Sequence, residues 1–139
     1  MLSVTNTLLP TRFLLTISHI LFVIMVSFTK DANVLASIPL GDLSNFQAVN
    51  SSIQAALGLT WIGFFIEMVG IFYGLSIFQK RLNTLYILAH ASASICLSMF
   101  VSDIWVVGCY WYIFFFCSVI PILVDLVMLS RVVVLKYTN

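Results

Sequence analysis

Apolar residues gather in four long runs along this chain, at about 9–29, 52–78, 82–101 and 105–130. A helix needs about 20 apolar residues to cross the hydrocarbon core of a bilayer. Strands of a membrane barrel would alternate apolar and polar residues. Stretches such as IFFF and LVMLS do not alternate. The pattern predicts an all-α protein, an integral membrane four-helix bundle with one four-span domain over residues 1–139.

The polar connections are short except for residues 30–51. That segment carries Ile38, Leu40, Leu43, Phe46 and Val49, which suits a short interfacial helix or an irregular loop equally well. Between the third and fourth runs, Asp103 has the chemistry of an N-cap for the fourth helix. The first run resembles a signal peptide, with Arg12 ahead of it. Lys30 and Asp31 separate it from the small-residue site at Val34-Leu35-Ala36, so it is read as a retained span.

Composition narrows the class further. Of 139 residues, 62% are hydrophobic and 8% charged, against about 45–50% and 25% in soluble domains. Mean hydropathy is +1.13. A charged shell for a soluble core is absent, and intrinsic disorder needs the opposite composition. A net charge of +1 leaves no basic patch for nucleic acid. Cys96, Cys109 and Cys117 lie in apolar runs without a CxxC pair, so no disulfide framework is indicated. No nucleophile elbow, HExxH or phosphate loop is present, and no cofactor or metal is expected. His19 and His90 are the bare minimum for haem ligation, with nothing else in support.

Arg12, Lys80, Arg81, Arg131 and Lys136 fall on one side of a four-span topology and Lys30 on the other, which predicts cytosolic termini. Tyr86 and Tyr137 are then expected in the cytosolic aromatic belt, and Trp105, Tyr110 and Trp111 in the outer one. The sequon Asn50-Ser51-Ser52 falls on the outer side. It lies so close to the second helix that an unmodified Asn50 is the favoured reading over glycosylation.

Each run holds one histidine or carboxylate: His19, Glu67, His90 and Asp125. At a rise of 1.5 Å per residue they lie about 9–19 Å in from the flanking basic residues, close enough in depth to pair. Charged groups in hydrocarbon are functional candidates, here for a proton or ion pathway. The commoner use of such groups is hydrogen bonding between helices, about 0.6–2 kcal/mol each. Asp125 is also shallow enough to reach Arg131 or the interface. In the second helix, Gly63, Glu67, Gly70 and Gly74 recur at steps of four, three and four, on one face. Gly70 and Gly74 form a GxxxG step, which lets backbones approach. The third helix offers a matching small face at His90, Ala91, Ser92, Ala93 and Ser94. The predicted helix-packing or partner face is Gly63, Glu67, Gly70, Gly74, His90 and Ser94, within the bundle or against another protein. Pro121 is expected to bend the fourth helix.

The order of local signatures then matters. LPTRF, KDANV, IPL, FFIEMVG, AHASAS and YWYIFFFCSVIP follow one another over nearly the whole chain. Together they resemble the transmembrane protein 107 family, four-span proteins of the ciliary transition zone. Asp125 stands where that family has Glu, and the C-terminal tail is less basic. The resemblance implies a non-enzymatic membrane scaffold of the Meckel syndrome module at the transition zone membrane. Such a scaffold helps assemble the module, build the cilium and gate ciliary membrane composition. It implies other transition-zone membrane proteins, tectonic-type proteins included, as partners, with oligomeric state open. The rival reading from the residues is a small four-helix transporter or proton-conducting channel using Glu67, His90 and Asp125.

Overall fold

The structure, a computed structural model, describes residues 7–39, 43–74 and 79–138, with side chains as far as Arg131. Its long helices are α1 (Leu9–Ala36), α2 (Phe46–Phe72) and α3 (Lys80–Ser102). The fourth span is α4 (Val107–Phe114) and α5 (Ile120–Thr138), joined by a π turn at Phe115–Val119. Four helical spans are long and apolar enough to cross a membrane, and no strand occurs among the described residues. The chain is an all-α, four-helix membrane protein.

Helix ends depart from the apolar runs. Pro10 sits at the start of α1, where its missing N–H costs nothing. α1 then continues through the charged KDAN stretch to Ala36, and α2 begins at Phe46 after a single 3-10 turn, Leu43–Asn45. Among the described residues of 30–51, only 37–39 and the 3-10 turn lie between the two long helices, and no separate interfacial helix occurs. Most of them extend the two spans, because helix keeps their backbone groups bonded to one another near the membrane. The predicted end of the second span at 78 lies outside the described residues. Asp103 is not the N-cap of the fourth span. It closes α3, with its N–H on Met99 O, and Val106 precedes α4.

Packing sets the bundle order. α1 packs against α3 and α2, and the fourth span fills the gap between α2 and α3. The sequence neighbours α2 and α3 therefore sit across the bundle's diagonal. The two small faces touch at Glu67 and His90, 3.0 Å apart, but the α2 glycines pack elsewhere. Gly63 and Gly70 face α5: a Cβ on Gly63 would lie 2.5 Å from Ile122 Cδ1, and one on Gly70 3.1 Å from Asp125 Oδ1. Among the described residues, nothing packs on Gly74. It has φ +72, no atom within 4 Å of its Cβ direction, and its N–H bonds Ile71 O. This left-handed residue ends α2, a role that favours glycine.

The half of the bundle around the α3–α4 turn is apolar. Val23, Val26, Ile53, Ala56, Leu97 and Phe100 are fully or almost fully buried there. Its few polar contacts serve backbone ends. Asn33 Nδ2 donates to Phe100 O (2.9 Å) and Trp105 O (2.8 Å), and Ser37 Oγ accepts from Val107 N (2.7 Å) at the start of α4. Those bonds brace a turn that contains Ile104 at φ 50. Tyr110 is buried against Thr60 (3.1 Å) rather than in an outer belt. Trp111 Nε1 donates to Ser52 Oγ at 2.9 Å.

In the fourth span, Pro121 has no N–H to offer the Cys117 carbonyl one turn back. The π turn directly before it takes up this fault.

Candidate functional site

The opposite half, where α1 and α3 begin and α2 ends, contains the site. α1 carries Arg12, Thr16 and His19 at steps of four and three, and α3 carries Asn83, Tyr86 and His90 at steps of three and four. Each set forms a stripe on one helix face, and the two faces pack together. All six side chains are buried. Glu67 from α2 and Asp125 from the fourth span complete the group, exposed by only 3% and 1%.

Arg12 organises the cluster. Its Nη1 donates to Asn83 Oδ1 and its Nη2 to Glu67 Oε1, each at 3.1 Å. Its guanidinium carbon lies 3.7 Å from the centre of the Tyr86 ring, and cation–π attraction is stronger where water is excluded. Tyr86 O–H donates to Asp125 Oδ1 at 2.6 Å. Four helices are thereby connected through one guanidinium and one phenol.

Two imidazoles extend the group. His90 Nε2 lies 3.0 Å from the Glu67 carboxylate, and His90 Nδ1 lies 3.0 Å from His19 Nδ1. Glu67, facing Arg12, accepts hydrogen bonds, which assigns the His90 proton to Nε2. The Nδ1 of a neutral His90 ring then accepts from His19 Nδ1–H. Phe64 closes the far side, its ring edge-on to His19 at 4.8 Å. The cavity at the centre, lined by His19, Glu67, His90 and Ser118, has about 10 Å³, room for one water at most.

The structure brings together His19, Glu67, His90 and Asp125. Ser94 is also buried, but its hydroxyl bonds only back to His90 O at 2.8 Å. Gly63 and Gly70 adjoin the cluster as the floor against α5. Asn50 lies apart, inside α2, its side-chain oxygen accepting from Lys30 Nζ at 2.7 Å.

Sequence reasoning missed Arg12, Asn83 and Tyr86. The topology rule puts Arg12 at the membrane rim, yet it is 0% exposed. The same rule puts Tyr86 in an aromatic belt, and it is also fully buried. Asp125 reaches Tyr86, and Arg131 is exposed. The side chain of Tyr137 lies outside the described residues. One signal could have found the first three: their three- and four-residue spacing from His19 and His90, which places them on the same helix faces.

Chemically, the group is a closed polar lattice. Among the described residues no group of three or more His, Cys, Asp or Glu side chains is placed to hold a metal ion. Glu67 faces Arg12 and His90, whereas Asp125 bonds Tyr86 through one oxygen and borders a groove between α2 and α5.

Comparison with known proteins places this architecture. No solved structure matches the chain. Curated relatives named transmembrane protein 107 match it over 93% of this chain and 93% of their own length in Mus musculus (36% identity) and Rattus norvegicus (35%). The Danio rerio protein of that name is 33% identical over 92% of this chain. The TMEM107 transmembrane protein family matches residues 8–129, a range that includes every member of the buried cluster. The chain belongs to the TMEM107 family of transmembrane proteins.

Proposed function

We propose that this protein is a membrane scaffold of the ciliary transition zone. It would help assemble the Meckel syndrome module, tectonic-type proteins among its partners, and so support cilium formation and the gate on ciliary membrane composition. The termini face the cytosol in this reading, as the basic residues outside the cluster still favour. The role is one of assembly, not catalysis.

One observation carries the reading. The polar side chains are turned inward and bonded to one another, while the outward faces are apolar. Phe28, Phe65, Phe72 and Tyr112 are 70–85% exposed to the membrane side. A body of this kind has helix faces to offer partners and little else. Membrane helices associate through such packing and a few hydrogen bonds.

The rival is a small transporter or proton-conducting channel using Glu67, His90 and Asp125. Glu67 and His90 are hydrogen-bonded, which favours it, but the cavity beside them has room for one water at most.

The test has two arms. The endogenous protein, tagged in a ciliated cell, is imaged against basal-body and axoneme markers. A ring just distal to the basal body is expected, and a diffuse plasma-membrane or reticular signal sinks the scaffold reading. Purified protein in liposomes is expected to carry no proton flux. A flux abolished by Glu67→Gln would establish the channel instead.

A further inference from the structure

The Asp125 carboxyl has one satisfied oxygen and one orphan. Oδ1 accepts from Tyr86, whereas Oδ2 is buried without a hydrogen-bond partner among the described residues. An unmet polar atom in a membrane interior is unfavourable, so it marks a place where something is expected to bind.

Asp125 also lines a groove of about 150 Å³ between α2 and α5. Ile66 and Gly70 form its α2 wall, Leu126 and Leu129 its α5 wall, and Phe65 its rim. Phe65 and Leu126 are exposed, so the groove opens outward. Gly70 lowers the floor, because a Cβ there would press on Asp125. A volume near 150 Å³ accommodates one benzene-sized group. It is the size of one side chain, not of a lipid body.

Charge decides which side chain. Glu67 is matched by Arg12 at 3.1 Å, but Asp125 makes no ion pair among the described residues. The cluster sets one guanidinium, Arg12, against two carboxyls, Glu67 and Asp125, and the second carboxyl is the one at the groove.

We propose that the α2–α5 groove is a docking site for a transmembrane helix of a partner protein, which inserts one lysine or arginine side chain to bond Asp125 Oδ2. The proposal rests on the scaffold reading and names the face it uses. Such a bond joins a charged donor to a charged acceptor where water is scarce, the setting in which it is strongest. Neighbouring apolar walls would cover the stem of the inserted side chain.

The experiment uses the full chain in ciliated cells. Photo-reactive p-benzoylphenylalanine replaces Leu126 in one version and Phe28, on α1 and 85% exposed, in another. The expected product at 126 is a peptide from a partner's membrane span, with Lys or Arg within one turn of the crosslinked residue. Asp125→Asn should cut that yield about tenfold, the effect of losing a charged hydrogen bond. Leu129→Trp, which fills the groove and leaves Asp125 in place, should cut it comparably. Yield at 28 and the chromatographic profile in detergent report whether each variant still folds.

Capture at 126 of lipid alone, of a second copy, or of a helix without a cation overturns the proposal. A 126 yield insensitive to both variants does the same. If 28 still captures a membrane protein in those cases, the groove assignment fails and the scaffold stands. If neither position captures a membrane protein, both fail.

Discussion

Around Val23, Val26, Ala56 and Leu97 the bundle is held by apolar packing; around Arg12, Glu67 and His90 the same four spans are held by charge and hydrogen bonds. The difference teaches where specificity comes from in a bilayer. Apolar side chains gain little by leaving lipid for a helix interface, since both are equally apolar. Many alternative packings of Val and Leu are therefore close in energy. A buried guanidinium has few acceptable positions. Arg12 needs Asn83 and Glu67 at hydrogen-bond distance and Tyr86 beneath it, and that requirement selects the diagonal placement of α2 and α3. Such a role for buried charge is attested in coiled coils, where one polar residue sets register.

The contrast can be broken most sharply at Arg12. Arg12→Leu removes the donors to Glu67 Oε1 and Asn83 Oδ1, and loss of one member of a buried pair costs about 3–5 kcal/mol. The expected outcome is loss of a monodisperse detergent-purified species, read by thermal unfolding. Arg12→Lys should recover only part, because one ammonium cannot span both acceptors and the ring as a planar fork does. Combining Arg12→Leu with Glu67→Leu should cost less than the two single changes together. An additive double variant would show that the pair is not coupled.

Gly63→Leu tests the floor that both halves share. Its Cβ would lie 2.5 Å from Ile122 Cδ1, so overpacking of about 1–3 kcal/mol is expected. Ile122→Ala should restore part of the lost melting temperature. No recovery would mean that α5 does not rest on that glycine.

In the apolar half, Asn33→Leu removes two bonds to the carbonyls of Phe100 and Trp105. A cost of about 1–2 kcal/mol is expected, two membrane hydrogen bonds near the lower end of their range. Faster proteolysis at the α3–α4 turn would localise the effect. Thr60→Val should cost less, about 0.6 kcal/mol for one bond to Tyr110. If Thr60→Val rivals Arg12→Leu in melting temperature, the division into an apolar and a polar half is wrong.

The smallest effect is expected at Gly58, where a Cβ meets nothing within 4 Å. Gly58→Ala should raise stability by about 0.5–1 kcal/mol through helix propensity alone. A loss at that position would reveal a packing surface outside the bundle.

Much of this was legible in the residue order. Four spans follow from run length, since a bilayer demands about 20 apolar residues whatever the packing. That His19, Glu67, His90 and Asp125 turn inward follows from the cost of facing them to lipid. Gly63 and Gly70 declared a close approach but not its partner, because a glycine stripe carries no signal about which helix fills it. Arg12 and Tyr86 were misplaced for a physical reason: near a helix end, a basic or aromatic residue satisfies interface and interior equally well on composition alone. Gly74 shows a similar ambiguity, a GxxxG member by spacing and a helix terminator by φ.

The sequence by itself determined the class, the number of spans and the identity of the polar residues that have to be hidden, because lipid imposes those terms on any chain of this composition. Tertiary structure alone decided which of them meet. The pairing of Glu67 with His90 across the diagonal, the seating of Arg12 over Tyr86, and the orphaned Asp125 oxygen at the α2–α5 groove depend on the angular order of helices. That order is set by side chains far apart in the chain, and no local pattern encodes it.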